Sequence, residues 1–374
     1  MLPNLYPLRF ILAVLVILYH IPIVSKTLDF PFYKDAAVLN KGHLSVFYFF
    51  TLSGFLIIRL IYQELKKTGG FDFKTFYLRR VQRLYPVYYL VLFIGILLYH
   101  FVLPALDIYR AIDYELPDLL LAYIFFIPNI FQYYYNPGSI VQIMWSIGVE
   151  EQFYLFIPAL LYLGRKNIVS TLALVFAISI VVLFINTDAY IYRNYYFYFL
   201  FGGLCAVVSE KYRFALLKNK MIHVFVYGLF VLSFTTSWFE FENEALYHFV
   251  NMVISGFTLT LITYYALFRI ENKLINYLGK ISYGIYMYHM IIVTGLFFTA
   301  DQLHIQSMLH PVVFIIGFNT LAIVFTTLVS ALSYEYFEKL FYSPRVVSDT
   351  TSGYVSKRVS RVKRIKKRLG LGIR

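Results

Sequence analysis

Apolar runs of about 20 residues recur along the whole chain, at 5–24, 44–62, 84–104, 147–164, 168–186, 195–209, 221–239, 247–268, 281–300 and 311–333. A run of that length crosses the roughly 30 Å hydrocarbon core of a bilayer as an α-helix. One such run could be the core helix of a soluble domain. Ten in series predict an all-α polytopic membrane protein with about ten transmembrane helices. The stretch 119–144 is equally apolar but is interrupted by Pro128, Asn129, Pro137 and Gly138, which suits a re-entrant or interfacial segment better than a straight span.

Charge sets the orientation. With ten spans and an inside N-terminus, the loops and tail on the cytoplasmic side hold 25 Lys/Arg and the external loops 5. The positive-inside bias therefore predicts that both termini are cytoplasmic in a plasma (inner) membrane protein. Making 119–144 a full span would invert everything after it. The formal net charge of +13 invites a nucleic-acid partner, but ten Lys/Arg and a single Asp fall within 343–374. The chain thus divides into a membrane domain, 1–342, and a basic cytoplasmic tail, 343–374, suited to anionic lipid headgroups rather than nucleic acid. Cys205 is the only cysteine, so no internal disulfide and no cysteine metal site is expected. Residues 1–24 have almost no charged leader and no small-residue cleavage site, so they read as a retained helix. Oligomeric state has no signature in the sequence.

Ionisable side chains within spans are expensive and usually functional. Arg9 and His20 share the first helix, eleven residues or roughly 16 Å apart along the axis and near one face. That puts Arg9 at the cytoplasmic mouth and His20 towards the outer half. A snorkelling anchor and a packing histidine are the plain alternatives. Arg79, Arg80 and Arg83 stand at the cytoplasmic entrance of the third span; Arg79 and Arg83, one turn apart, form a basic face suited to a polyphosphate or to simple anchoring. In WSIGVEEQFYL, Trp145, Ser146, Glu150, Glu151 and Tyr154 mark the external start of the fourth span, with Glu150 expected at about the depth of His20. His289 lies midway through the ninth span, and Glu335 and Glu338 end the tenth; either role, packing or site, suits them.

Together these segments resemble the membrane-bound acyltransferase family 3, the group that contains cell-surface polysaccharide O-acetyltransferases. The Arg-x10-His pair is matched by Arg9 and His20. FYFFTLSGFLI (47–57), RRVQRLYPVYY, WSIGVEEQFYL and LGKISYGIYMYH match its remaining blocks in order, from residue 5 to about 342. The family often ends its last helix in Glu-Lys-Pro, where this chain has Glu338-Lys339-Leu340. Many members add an SGNH hydrolase-like domain, in whose place only a basic tail of about thirty residues follows here.

The resemblance implies an O-acyltransferase that moves an acyl group, commonly acetyl from acetyl-CoA, across the membrane to a sugar hydroxyl. Arg9, Arg79, Arg80 and Arg83 would bind the donor, His20 and Glu150 would carry the chemistry, and Trp145, Ser146, Glu151, Tyr154, His289 and Glu338 would line the site. Acyl-CoA, a sugar or polysaccharide acceptor and membrane lipids are the expected partners, and no metal is expected. The rival is a proton-coupled transporter using the same buried charges, although the two halves lack the paired interrupted helices usual in such carriers.

Overall fold

The structure is a computed structural model that describes residues 2–33, 36–108, 112–185 and 195–342; the basic tail lies outside the described residues. Each of the ten apolar runs holds a helix: α1 (Leu5–Thr27), α2 (Gly42–Thr68), α3 (Phe73–Leu97), then after the broken segment α7 (Trp145–Leu163), α8 (Ile168–Ile185), α9 (Tyr196–Lys211), α10 (Lys220–Thr235), α11 (Glu244–Thr263), α13 (Ser282–Gln302) and α14 (Pro311–Tyr336). The 119–144 stretch is broken into α4 (Leu116–Ile124), α5 (Pro128–Tyr134) and α6 (Ser139–Gln142), and a short α12 (Lys273–Lys280) precedes α13. Seven of the ten are long and apolar enough to span a bilayer. The other three are shorter or more polar: α9 and α10 have 16 residues each, and α7 carries two carboxylates.

Local chemistry sets the boundaries. Asp72, Asn219, Asn243 and Asn272 each cap a helix by accepting a bond from a first-turn N–H. Gly69 ends α2 at φ 72°, a left-handed conformation that favours glycine. In the broken segment, side chains of the surrounding short and long helices donate to carbonyls at helix ends and turns. Tyr88 donates to Tyr123 O at 3.0 Å, Gln152 to Phe126 O at 2.7 Å and Gln132 to Gln142 O at 2.6 Å. Irregular backbone amid apolar surroundings requires such partners.

α2 and α9 form the centre and touch through glycine. A Cβ on Gly54 would stand 2.0 Å from Phe199 O, and one on Gly202 2.1 Å from Thr51 O, so only small residues allow this approach. At one end of the pair Arg59 donates to Glu210 at 2.9 Å and to Tyr264 at 2.8 Å. At the other, the buried Lys41 pairs with Glu240. α1 lies in the seam between two apolar clusters. Leu5, Leu8, Leu12 and Val16 join the larger one, while Ala13, Ile17 and Ile21 pack with Phe297, Phe314 and Phe318 of α13 and α14. That seam carries Arg9 and His20.

Candidate functional site

A cavity of about 60 Å³ opens between α1, α2, α7 and α13, with Arg9, Ser53, Ser146, Glu150, Ser282 and Tyr286 among its lining. Arg9 Nε donates to Ser282 Oγ at 3.0 Å, and Ser53 donates to Glu150. The charges of Arg9 and Arg80 both act on Glu150. A hydroxyl donor and two guanidinium groups make a carboxylate tolerable at this depth. Glu151, on the adjoining face of α7, is buried and directed towards Tyr85 and Arg80; its Oε1 has no hydrogen-bond partner among the described residues.

The α3 arginines divide their duties. Arg80 turns inward, its guanidinium 4.9 Å from the Tyr154 ring centre and 5.4 Å from that of Phe76, the geometry of cation–π contact. Arg79 is half-buried and its charge reaches Asp72. Arg83 is exposed and its charge reaches Glu338. Glu338 itself is buried in a single turn after α14, accepting from Ser333 Oγ and Tyr342 OH at 3.4 Å each. Lys339 pairs instead with Glu335 at 2.6 Å.

Three turns along α1 from Arg9 lie the histidines. His20 Nδ1 is 2.9 Å from Val16 O and 3.2 Å from His289 Nε2, and the two ring centres are 4.8 Å apart. His289 is fully buried, and its Nδ1 bonds Tyr286 O. Tyr286 joins the two levels, because its hydroxyl donates to Ile143 O at 2.9 Å, bonds Ser146 Oγ at 2.7 Å and lines the cavity. Trp145 packs on His43, Phe50 and Tyr195 with ring centres 5.8–6.4 Å away.

The structure therefore brings Arg9, Ser146 and Glu150 into one cavity, gathers Arg80, Tyr154 and Glu151 beside it, and sets His20 against His289. Among the described residues no hydrogen bond or ion pair joins Glu150 to His20. α7 begins at Trp145, so Glu150 lies five residues, about 7 Å, inside the helix, and it lines the same cavity as Arg9. Ser53, Ser282 and Tyr286 were not singled out by sequence, although all three fall in the blocks FYFFTLSGFLI and LGKISYGIYMYH. Among the described residues no three His, Cys, Asp or Glu side chains gather as metal ligands would.

Fold and site together define an all-α polytopic membrane protein with a buried arginine–carboxylate cavity and a histidine pair some turns above it. The profile of the family described as "Acyltransferase domain" matches residues 7–334, and the chain belongs to that family. It is similar to the O-acetyltransferase OatA of Staphylococcus aureus, 26% identical over 90% of this chain and 56% of that protein. It is also similar to the peptidoglycan O-acetyltransferase OatA of Listeria monocytogenes, 26% identical over 78% of this chain and 49% of that protein. The chain spans about half the length of these curated relatives. No solved structure matches the chain at a significant level.

Proposed function

We propose that this protein is a membrane O-acyltransferase that takes an acyl group, acetyl by default, from acetyl-CoA on the cytoplasmic side to a hydroxyl of a cell-envelope sugar. The observation that carries the reading is a histidine nitrogen, His20 Nε2, with no hydrogen-bond partner among the described residues, on the helix that presents Arg9 to a polar cavity roughly 16 Å away. Both termini lie in the cytoplasm of the plasma membrane in this reading, which rests on the Lys/Arg asymmetry. The name of the Listeria relative makes a peptidoglycan sugar the first acceptor to test.

Arg9, Arg79, Arg80 and Arg83 bind the anionic nucleotide end of the donor, where guanidinium groups suit phosphate. The acyl thioester extends past the cavity towards His20. His20 Nε2 takes the proton of the acceptor hydroxyl as its oxygen bonds to the acyl carbon; the C–S bond breaks, and the proton passes to the departing thiolate. A transient acyl-histidine would employ the same nitrogen. Glu150, held by Ser53, keeps Arg9 and Arg80 oriented on the donor.

The test uses sealed membrane vesicles from cells expressing the full chain, supplied with acetyl-labelled acetyl-CoA. The readout is base-labile label in the envelope glycan. Parent protein should transfer label, and His20→Ala should lower the rate by roughly 10²-fold or more while leaving binding of a CoA analogue near the parent value. Transfer by His20→Ala at the parent rate would refute the assignment. Substrate flux without acetyl transfer would favour the transporter.

A further inference from the structure

We propose that His289 is the positioning residue of His20: it fixes which nitrogen of His20 is free and holds the opposite N–H as that ring becomes charged. The proposal rests on His20 as the proton-transfer group. It starts from the direction of the hydrogen bonds. A carbonyl oxygen can only accept, so the bond to Tyr286 O requires a proton on His289 Nδ1. A neutral imidazole protonated there has its lone pair on Nε2. His20 Nδ1 faces that lone pair at 3.2 Å and Val16 O at 2.9 Å. Both are acceptors, so His20 Nδ1 must carry the hydrogen and share it between them. His20 Nε2 is then the bare nitrogen, and it makes no hydrogen bond among the described residues.

The roles cannot be exchanged. His289 is fully buried and both of its nitrogens are engaged, so it offers nothing to a substrate. His20 is only half-buried and keeps one nitrogen open. Val16 alone would settle the tautomer, but one acceptor on the same helix leaves the ring plane free to turn. The second acceptor, from α13, fixes the plane. When Nε2 takes the acceptor's proton, His20 carries a hydrogen on each nitrogen and a positive charge, and the His289 lone pair faces the N–H that shares it. Outer partners of this kind orient a working histidine and raise its basicity. The support is itself anchored, since the Tyr286 hydroxyl is bonded to Ile143 O and Ser146.

The experiment compares His289→Leu, which removes the acceptor at similar volume, with His289→Gln, whose side-chain oxygen reaches the same position. Both are made in the full chain and assayed in sealed vesicles over a range of acetyl-CoA concentrations, per inserted protein. The Leu variant should lose about 10- to 100-fold in maximal rate with KM for acetyl-CoA within about twofold, because the donor's phosphates do not meet this residue. The Gln variant should recover most of the lost rate. In a His20→Ala background the Leu change should cost nothing further, as residues acting as a unit are non-additive. A Leu variant at the parent rate, a Gln variant as impaired as Leu, or an additive double mutant would each overturn the proposal. If His20→Ala itself transfers at the parent rate, the reading of His20 fails, which is distinct from failure of the positioning role alone. Should His289→Leu not accumulate, His289→Asn, too short to reach His20, replaces it with the same expected loss.

Discussion

The glycine contact between α2 and α9 links packing to activity. In Gly54→Ala the new methyl carbon would stand 2.0 Å from the backbone oxygen of Phe199. An ordinary carbon–oxygen contact is about 3.4 Å, so the helices must separate by about 1.4 Å or the backbone must bend. A carbonyl cannot rotate away as a flexible side chain can, so the cost belongs at the upper end for overpacking, about 3 kcal/mol. The displaced element carries Ser53, the donor to Glu150, and misplacing a site by about 1 Å can cost about 10²-fold in rate. Gly54→Ala should therefore lower both the thermal unfolding midpoint of the purified protein and acetyl transfer in vesicles. Gly202→Ala, whose methyl would meet Thr51 O at 2.1 Å from the opposite side, should reproduce both losses. Gly228→Ala is the control: its methyl meets nothing within 4 Å, and alanine is the better helix former by about 1 kcal/mol. If Gly54→Ala matches the Gly228→Ala control in midpoint and rate, the close approach and its coupling to the cavity are wrong.

Three further outcomes follow from the site and the charges. Arg80→Ala should weaken binding of a CoA analogue and flatten its salt dependence relative to the parent, measured by titration at two ionic strengths; unchanged affinity would remove Arg80 from the donor site. Arg59→Ala leaves the partly buried Glu210 without its cation and should lower stability by about 1–2 kcal/mol after allowance for solvent screening, read as a thermal shift with donor affinity unaffected. In a Cys205→Ser background, a cysteine at Asn243 should react with an impermeant reagent on intact cells and one at Thr68 should not. Labelling in the reverse pattern would invert the proposed orientation.

The helices were legible because each apolar run is long enough to declare itself without its neighbours. The interruption at 119–144 was legible for the same kind of reason, since Pro128, Pro137 and Gly138 oppose a continuous helix wherever they sit. The cavity was legible only in pieces. Arg9 and Glu150 stood out as costly charges, but their meeting depends on where α7 begins, and apolarity alone started that span at 147 rather than Trp145. Two residues of offset set Glu150 about 3 Å deeper in its helix than the apolar run alone suggests, in the cavity that Arg9 also lines. The bond between His20 and His289 spans 269 positions and depends on the rotation of two helices about their axes, which apolar patterning leaves open. Ser53 and Ser282 carried no signal of their own, because small hydroxyl residues are also the ordinary currency of helix contacts in membranes.

The three short helices between Leu116 and Gln142 have a consequence for how this protein can vary. A solvent loop tolerates insertions because water accepts whatever backbone groups the new residues expose. Here Tyr88, Gln152 and Gln132 each reach one carbonyl at a fixed place in the segment. One added or deleted residue would move those carbonyls away from their donors and strand them among apolar side chains. The segment should therefore accept many changes of side chain and almost none of length. Its register is as constrained as that of a β-strand, although it contains no regular structure longer than nine residues.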